Sequence, residues 1–163
     1  EGYLEKLEFL QSPISDPEWK PRLLLMGSEL DDPQYLREIE ELGGQIVADD
    51  LCCGSKYLWD LVDEEGEPWE ALARRYLSRS QCPRMHPAQR RIQHLEQMAE
   101  NFRVQGVIYQ TLKFCGPHAG MYPVIKNAFD RMGIPVLRLE REYSFTGGGQ
   151  LRTRVQAFFE SMA

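Results

Sequence analysis

Short apolar runs closed by glycine or polar loops alternate along this chain with stretches in which apolar residues recur every third or fourth position. Arg22-Leu23-Leu24-Leu25-Met26-Gly27 is the first such run, and its unbroken apolar character suits a strand buried on both faces. Asp31-Asp32-Pro33 offers an N-cap with proline near the first helical position. Tyr35, Leu36, Ile39 and Leu42 then repeat at helical spacing up to Gly43-Gly44. Gln45-Ile46-Val47-Ala48-Asp49 reads as the second strand, and Trp69, Leu72, Ala73, Tyr76 and Leu77 as the apolar positions of a helix beyond an acidic turn at Asp63 to Glu67. Ile92, Leu95, Met98 and Ala99 mark another helix, ending near Phe102. Gly106-Val107-Ile108-Tyr109-Gln110 is the third strand. Tyr122, Ile125, Ala128, Phe129 and Met132 mark a helix that stops at Gly133, and Ile134-Pro135-Val136-Leu137-Arg138-Leu139 is the fourth strand. A last helix carries Leu151, Val155, Phe158, Phe159 and Met162 on one face.

Strands and helices alternating at this length predict one α/β domain over 1–163, with a four-stranded parallel sheet flanked by helices and a flavodoxin-like or Rossmann-like layout. Residues 1–20 are expected to form a helical lead-in, striped by Leu4, Leu7 and Leu10, and a proline-broken connection from Pro13 to Pro21. If the sheet is parallel, the loops after its strands line the crevice at its carboxyl edge, where such sheets bind ligands. Candidate chemistry therefore lies after Gly27, Asp49, Gln110 and Leu139.

Composition narrows the function classes. The chain has 163 residues, 42% hydrophobic and 27% charged, with a formal net charge of -6 and a pI near 5.2. That balance argues against a surface for the nucleic-acid backbone, and Arg74-Arg75 and Arg90-Arg91 read as solvated helix faces. No apolar run reaches the roughly 18 residues of a membrane span. Glu1 rather than Met opens the chain, and no charged-then-apolar signal segment is present, so a piece of a longer, cytoplasmic protein is expected. The four cysteines, Cys52, Cys53, Cys82 and Cys115, then read as thiols or metal ligands rather than disulfides, although their spacing matches no zinc site.

Cys115, in the loop Lys113-Phe114-Cys115-Gly116-Pro117-His118, is the strongest candidate for chemistry. Cys52 and Cys53 also follow a strand, and Lys56 and Lys113 are placed to favour thiolates at the two loops. Cys53 reads as a small buried hydrophobe. His118 could serve Cys115 as a base or simply enter its helix, while Asp49, Asp50, Glu140 and Glu142 read either as acid-base groups at the crevice or as solvated carboxylates. Gly147-Gly148-Gly149 before the last helix has the composition of an anion cradle without the spacing of a known phosphate loop; a flexible helix entry accounts for it as well.

Five stretches together resemble the carboxyl-terminal domain of the 2-hydroxyacyl-CoA dehydratase family, which includes the subunits of benzoyl-CoA reductase. They are Gly44 to Tyr57 (GQIVADDLCCGSKY), Arg75 to Pro83 (RYLSRSQCP), Gly106 to Pro117 (GVIYQTLKFCGP), Gly133 to Tyr143 (GIPVLRLEREY) and Gly149 to Glu160 (GQLRTRVQAFFE). The resemblance implies a subunit that works with a homologous second subunit on an acyl-CoA substrate. It also implies a 4Fe-4S cluster held by three cysteines, with one iron left open. An ATP-hydrolysing iron-sulfur activator would supply one low-potential electron, for radical dehydration of a 2-hydroxyacyl-CoA or reduction of an aromatic acyl-CoA. Oxygen sensitivity would confine this chemistry to anaerobic metabolism, and a flavin beside the cluster is left open. The ligand in the Lys-Phe-Cys motif passes to Cys115. The other two would lie in a domain this chain lacks, so the fragment by itself is expected to hold the cluster incompletely and to be inactive. Gly116 stands where the family often has aspartate. Asp50, Cys52, Lys113, His118 and Glu140 are the candidates for lining the substrate pocket, and Cys82 reads as structural. Two rival readings stand beside this one: a non-enzymatic scaffold that docks the second subunit or the activator, and a cysteine-dependent hydrolase or redox protein using Cys115.

Overall fold

The computed structural model describes residues 20–78, 82–144 and 148–162. The expected lead-in helix of residues 1–19 lies outside them, as does Gly147. The elements are β1 (Arg22–Gly27), α1 (Pro33–Glu41), β2 (Gln45–Leu51), a 3₁₀ turn at Ser55–Tyr57, α2 (Pro68–Ser78), α3 (Gln89–Asn101), β3 (Gly106–Leu112), α4 (Gly116–Arg131), β4 (Val136–Arg141) and α5 (Gly148–Glu160). All strands pair in parallel in the order β2-β1-β3-β4, the flavodoxin-like order. The expected α/β sheet is therefore present. Asp32 caps α1 by accepting from the Gln34 N–H at 2.9 Å, with Pro33 starting the helix.

Alternation along β1 divides the core. Leu23 and Leu25 join Ile39 of α1 and Val155 and Phe159 of α5 on one face, whereas Leu24 and Met26 join Leu95 and Met98 of α3 and Ile125 and Phe129 of α4 on the other. Both faces are thus covered, which is why β1 reads as a continuous apolar run.

Three strands differ in their bounds from the sequence reading; β3 continues past Gln110 to Leu112, and β4 past Leu139 to Arg141. β2 runs two residues past Asp49, because Asp50 is buried rather than solvated. β4 starts at Val136, since Pro135 has no N–H for the ladder; its carbonyl instead accepts from the Val107 N–H at 2.9 Å.

The pairing of β1 with β2 also shifts register between Leu23 and Leu24: Leu23 faces Ile46, but Leu24 faces Ala48. This bulge reverses which face the later β2 residues take. Asp50 consequently pairs with Met26, on the α3/α4 side of the sheet.

Candidate functional site

The sheet changes direction between β1 and β3, its inner pair, so the crevice opens where those strands end. β1 leaves through Gly27, whose φ of +126° only glycine tolerates well, and an added Cβ would lie 1.8 Å from the Gln110 carbonyl oxygen. That close approach lets the Ser28 N–H donate to the Gln110 carbonyl at 3.0 Å, while the Ser28 hydroxyl accepts from the Leu112 N–H at 3.1 Å. Arg141 Nε donates to Gln110 Oε1 at 3.0 Å and ties the end of β4 to the same point. The floor of the crevice is therefore rigid.

From that floor the chain turns sharply into α4. The Cys115 N–H donates to the Leu112 carbonyl at 3.1 Å, which closes a turn whose third residue, Phe114, has φ of +65°. A bulky residue in this left-handed region costs about 1–2 kcal/mol. Phe114 is also fully exposed. Cys115 follows as the N-cap residue of the sixteen-residue α4, half-buried, and its side chain makes no capping hydrogen bond. The thiol thus stands at the positive end of a helix dipole, where anionic ligand atoms are favoured.

Below Cys115 lies a buried polar network on the α3/α4 side. His118, in the first turn of α4, is 1% exposed; its Nε2 is 3.3 Å from Cys52 Sγ and its Nδ1 is 3.0 Å from Tyr109 Oη. The Tyr109 hydroxyl donates to the His118 carbonyl at 3.0 Å. Burial, followed by the charges of Arg91, Lys56 and Arg84, pushes the His118 pKa down to about 3, so the ring is neutral. Burial also raises the Cys52 thiol above its ordinary value, with Lys56 pulling the other way. One proton arrangement satisfies these groups together: Cys52 S–H donates to Nε2, Nδ1–H donates to Tyr109 Oη, and Tyr109 O–H donates to the carbonyl.

Behind this relay, Asp50 accepts from Arg91 NH2 and faces Lys56 Nζ at 3.9 Å, with both Asp50 and Arg91 essentially inaccessible. Burial raises the Asp50 pKa, opposed chiefly by Arg91 and then by Lys56. His94 is drawn in from α3; burial lowers its pKa, and its ring meets Trp59 edge-on at 5.8 Å.

The structure separates the expected pocket residues into two groups. Asp50, Cys52 and His118 gather around Tyr109, close enough to Cys115 and Cys82 that negative charge on either would raise the Cys52 pKa further. Lys113 and Glu140 belong instead to a cavity of about 180 Å³ at the end of β4, on the α1/α5 side, shared with Arg141, Glu142 and Arg154. There Lys113 Nζ pairs with Glu142 Oε1 at 2.6 Å, which raises the Lys113 pKa, and Glu140 lies 3.9 Å from Arg138.

Four readings made from the sequence change. His118 engages Cys52 and Tyr109 through its ring, so the couple it forms is with Cys52 rather than Cys115. Lys56 does not make Cys52 a thiolate, because burial outweighs it. Cys53 is exposed, not a buried hydrophobe. Arg91 is core, not a solvated helix face, because it answers the charge of Asp50. No local pattern marks Tyr109, Arg91 or Ser28 as site residues; Arg91 and Ser28 take their roles from partners 41 and 82 positions away, and Tyr109 from facing His118 across the turn into α4.

Residues 2–162 match the family described as 2-hydroxyglutaryl-CoA dehydratase, D-component. The chain belongs to that family. It is 35% identical to YjiM of Escherichia coli (strain K12), named as a dehydratase subunit, over 88% of this chain and 38% of that protein. It is 30% identical to the (R)-phenyllactyl-CoA dehydratase beta subunit of Clostridium sporogenes, over 98% of this chain and 44% of that protein. Identity to the beta subunit of (R)-2-hydroxyglutaryl-CoA dehydratase from Acidaminococcus fermentans is 24%, over 98% of this chain and 45% of that protein. The chain therefore spans less than half the length of these curated relatives.

Among the described residues, no group of three or more His, Cys, Asp or Glu side chains is arranged to hold a metal ion. No helix among the described residues is long and apolar enough to cross a membrane.

Proposed function

We propose that this chain is part of a dehydratase-type subunit acting on a 2-hydroxyacyl-CoA, with reduction of an aromatic acyl-CoA as the related alternative, and that Cys115 gives one of three thiolates to a 4Fe-4S cluster. What carries this reading is the position of Cys115: after the inner strand β3, at the N-cap of α4, with a side chain not used for capping. A ligand held there meets a helix dipole and a crevice floor fixed by Ser28 and Gln110. In this reading the other two thiolates come from a domain outside this stretch, as the family resemblance implies. When bound, such a cluster supplies low-potential electrons and an open iron to the substrate.

The remaining residues act by holding protons and shape. The neutral His118 keeps the proton on Cys52 Sγ, so Cys52 presents a thiol to the crevice rather than a fourth competing thiolate. Asp50, Arg91 and Lys56 anchor the end of β2 from which Cys52 projects. A homologous second subunit and an ATP-hydrolysing iron-sulfur activator complete the system in this reading. The location expected for it is cytoplasmic.

The hydrolase alternative is the weaker fit. A thiol nucleophile needs a base able to take its proton, and the histidine of this site is held neutral by burial and already bonded through both nitrogens.

Anaerobic iron and sulfide analysis with EPR on the full-length subunit, wild type against Cys115→Ser, tests the proposal. A cluster present in the wild type and lost or altered in the variant is the expected result. A reconstituted wild type without iron, or a cluster indifferent to the substitution, would remove the basis for this function.

A further inference from the structure

Nine of the thirteen large hydrophobic residues that the described chain leaves exposed fall between Tyr57 and Leu77, the excursion that joins β2 to α3. Leu58 is 80% exposed, Leu61 88%, Trp69 77% and Leu77 74%. Within α2 only Ala71 is buried, although the helix is amphipathic enough to have an apolar side. Leu61, Val62, Pro68 and Leu72 form the apolar wall of an open cleft of about 610 Å³. The excursion is nonetheless held in place. Arg75 of α2 donates through Nε to the Asp60 carbonyl at 2.8 Å and through NH2 to the Tyr57 carbonyl, stitching the loop to the helix. An ordered apolar surface of this extent marks an interaction site.

Its rim specifies the occupant. From Asp60 to Glu70 the chain carries six acidic residues and no Lys or Arg. We infer that this face docks the second subunit of the dehydratase-type assembly, through a surface with an apolar centre edged by Lys and Arg. The inference rests on the function proposed above. A second copy of this chain is disfavoured, because a two-fold contact would set one acidic rim against another in a chain whose net charge is already -6. A tethered segment of the same polypeptide needs no charged rim to find the face, whereas a separately diffusing subunit is steered by one. A transient electron donor would leave Leu58, Leu61, Trp69 and Leu77 in water between encounters, so permanent coverage fits the apolar area better.

The test uses the full-length subunit co-produced with its second subunit, carrying the photo-cross-linker benzoylphenylalanine at Leu61 or Leu77, or at Lys126 on the exposed side of α4 as control. Cross-links to the second subunit from Leu61 and Leu77 but not from Lys126 are expected. The double variant Leu61→Asp, Leu77→Asp, with an unchanged circular dichroism spectrum, should bind the second subunit at least about 30-fold more weakly. Cross-links confined to the same chain, to a second copy or to the activator overturn the inference, as does a double variant that assembles normally. If the second subunit co-purifies but contacts other residues, only the docking inference fails. If no second subunit associates with the wild type, the docking inference fails, and the iron analysis of Cys115→Ser decides the function on its own.

Discussion

Acid should destabilise this protein through His118, and the structure sets the size of the effect. An ordinary histidine titrates near 6.5, whereas burial beside Arg91, Lys56 and Arg84 holds this one at about 3. The folded state therefore takes up its proton much later than the unfolded chain as the pH falls. Stability from this group is fully present above 6.5 and is lost progressively as the pH drops from 6.5 towards 3, because there the unfolded state binds more protons. At about 1.36 kcal/mol per pH unit, the whole window is worth roughly 4–5 kcal/mol, and about 2.5–3 kcal/mol should already be gone at pH 4.5. Urea denaturation at a series of pH values, wild type against His118→Gln, isolates the contribution, since Gln cannot titrate while other groups cancel in the difference. Asp50, whose pKa burial raises, has the opposite sign: its contribution is lost as the pH rises through the folded value. The wild-type advantage over the Gln variant should shrink by at least about 2 kcal/mol between pH 7.5 and 4.5. Parallel curves over that range would refute both the buried neutral imidazole and the proton relay built on it. Nitrogen NMR offers a second reading: Nδ1 should carry the proton at pH 7, and Nε2 should remain an acceptor at pH 5.

Asp50→Asn removes the negative charge facing two buried cations and should cost about 3–5 kcal/mol, lowering the melting temperature by about 6–20 °C in a thermal scan. Gly27→Ala forces a Cβ against the Gln110 carbonyl at a φ that L-residues avoid; a loss of at least about 3 kcal/mol, or failure to accumulate folded protein, is expected, and a melting temperature within a degree of wild type would contradict the packing. Alkylation by iodoacetamide at pH 7.5, mapped by mass spectrometry, should label the exposed Cys53 at least about ten times faster than Cys52, whose thiol is held protonated by burial.

How far the sequence reveals this site depends on whether a residue's role is set locally or by register. β1 and α1 are legible because each carries its own signal, an apolar run and an Asp-Pro cap; the helix α4 starts at Gly116, ahead of the apolar stripe from Tyr122 that marks it in the sequence. The sheet order follows once those elements alternate. The buried network was not legible, because its bonds join residues far apart in the chain, Cys52 to His118 across 66 positions and Asp50 to Arg91 across 41.

One local irregularity decides that network. Counting by twos from Ile46, which packs on the α1/α5 side, would send Ala48 and Asp50 to that same side and leave Asp49 to face Arg91. The bulge at Val47 and Ala48 puts both of these residues on the α3/α4 side and reverses the count beyond them. Asp50 then meets Arg91, while Asp49 turns the other way and accepts from the Ser55 N–H at 3.0 Å, fixing the loop that carries Cys52. A carboxylate buried against a guanidinium cannot move to the opposite face without stranding both charges, so the bulge and the Asp50–Arg91 pair stabilise each other. The consecutive Asp49-Asp50, which reads as an ambiguous acidic pair, thus carries two different structural duties, assigned by one extra residue in a strand.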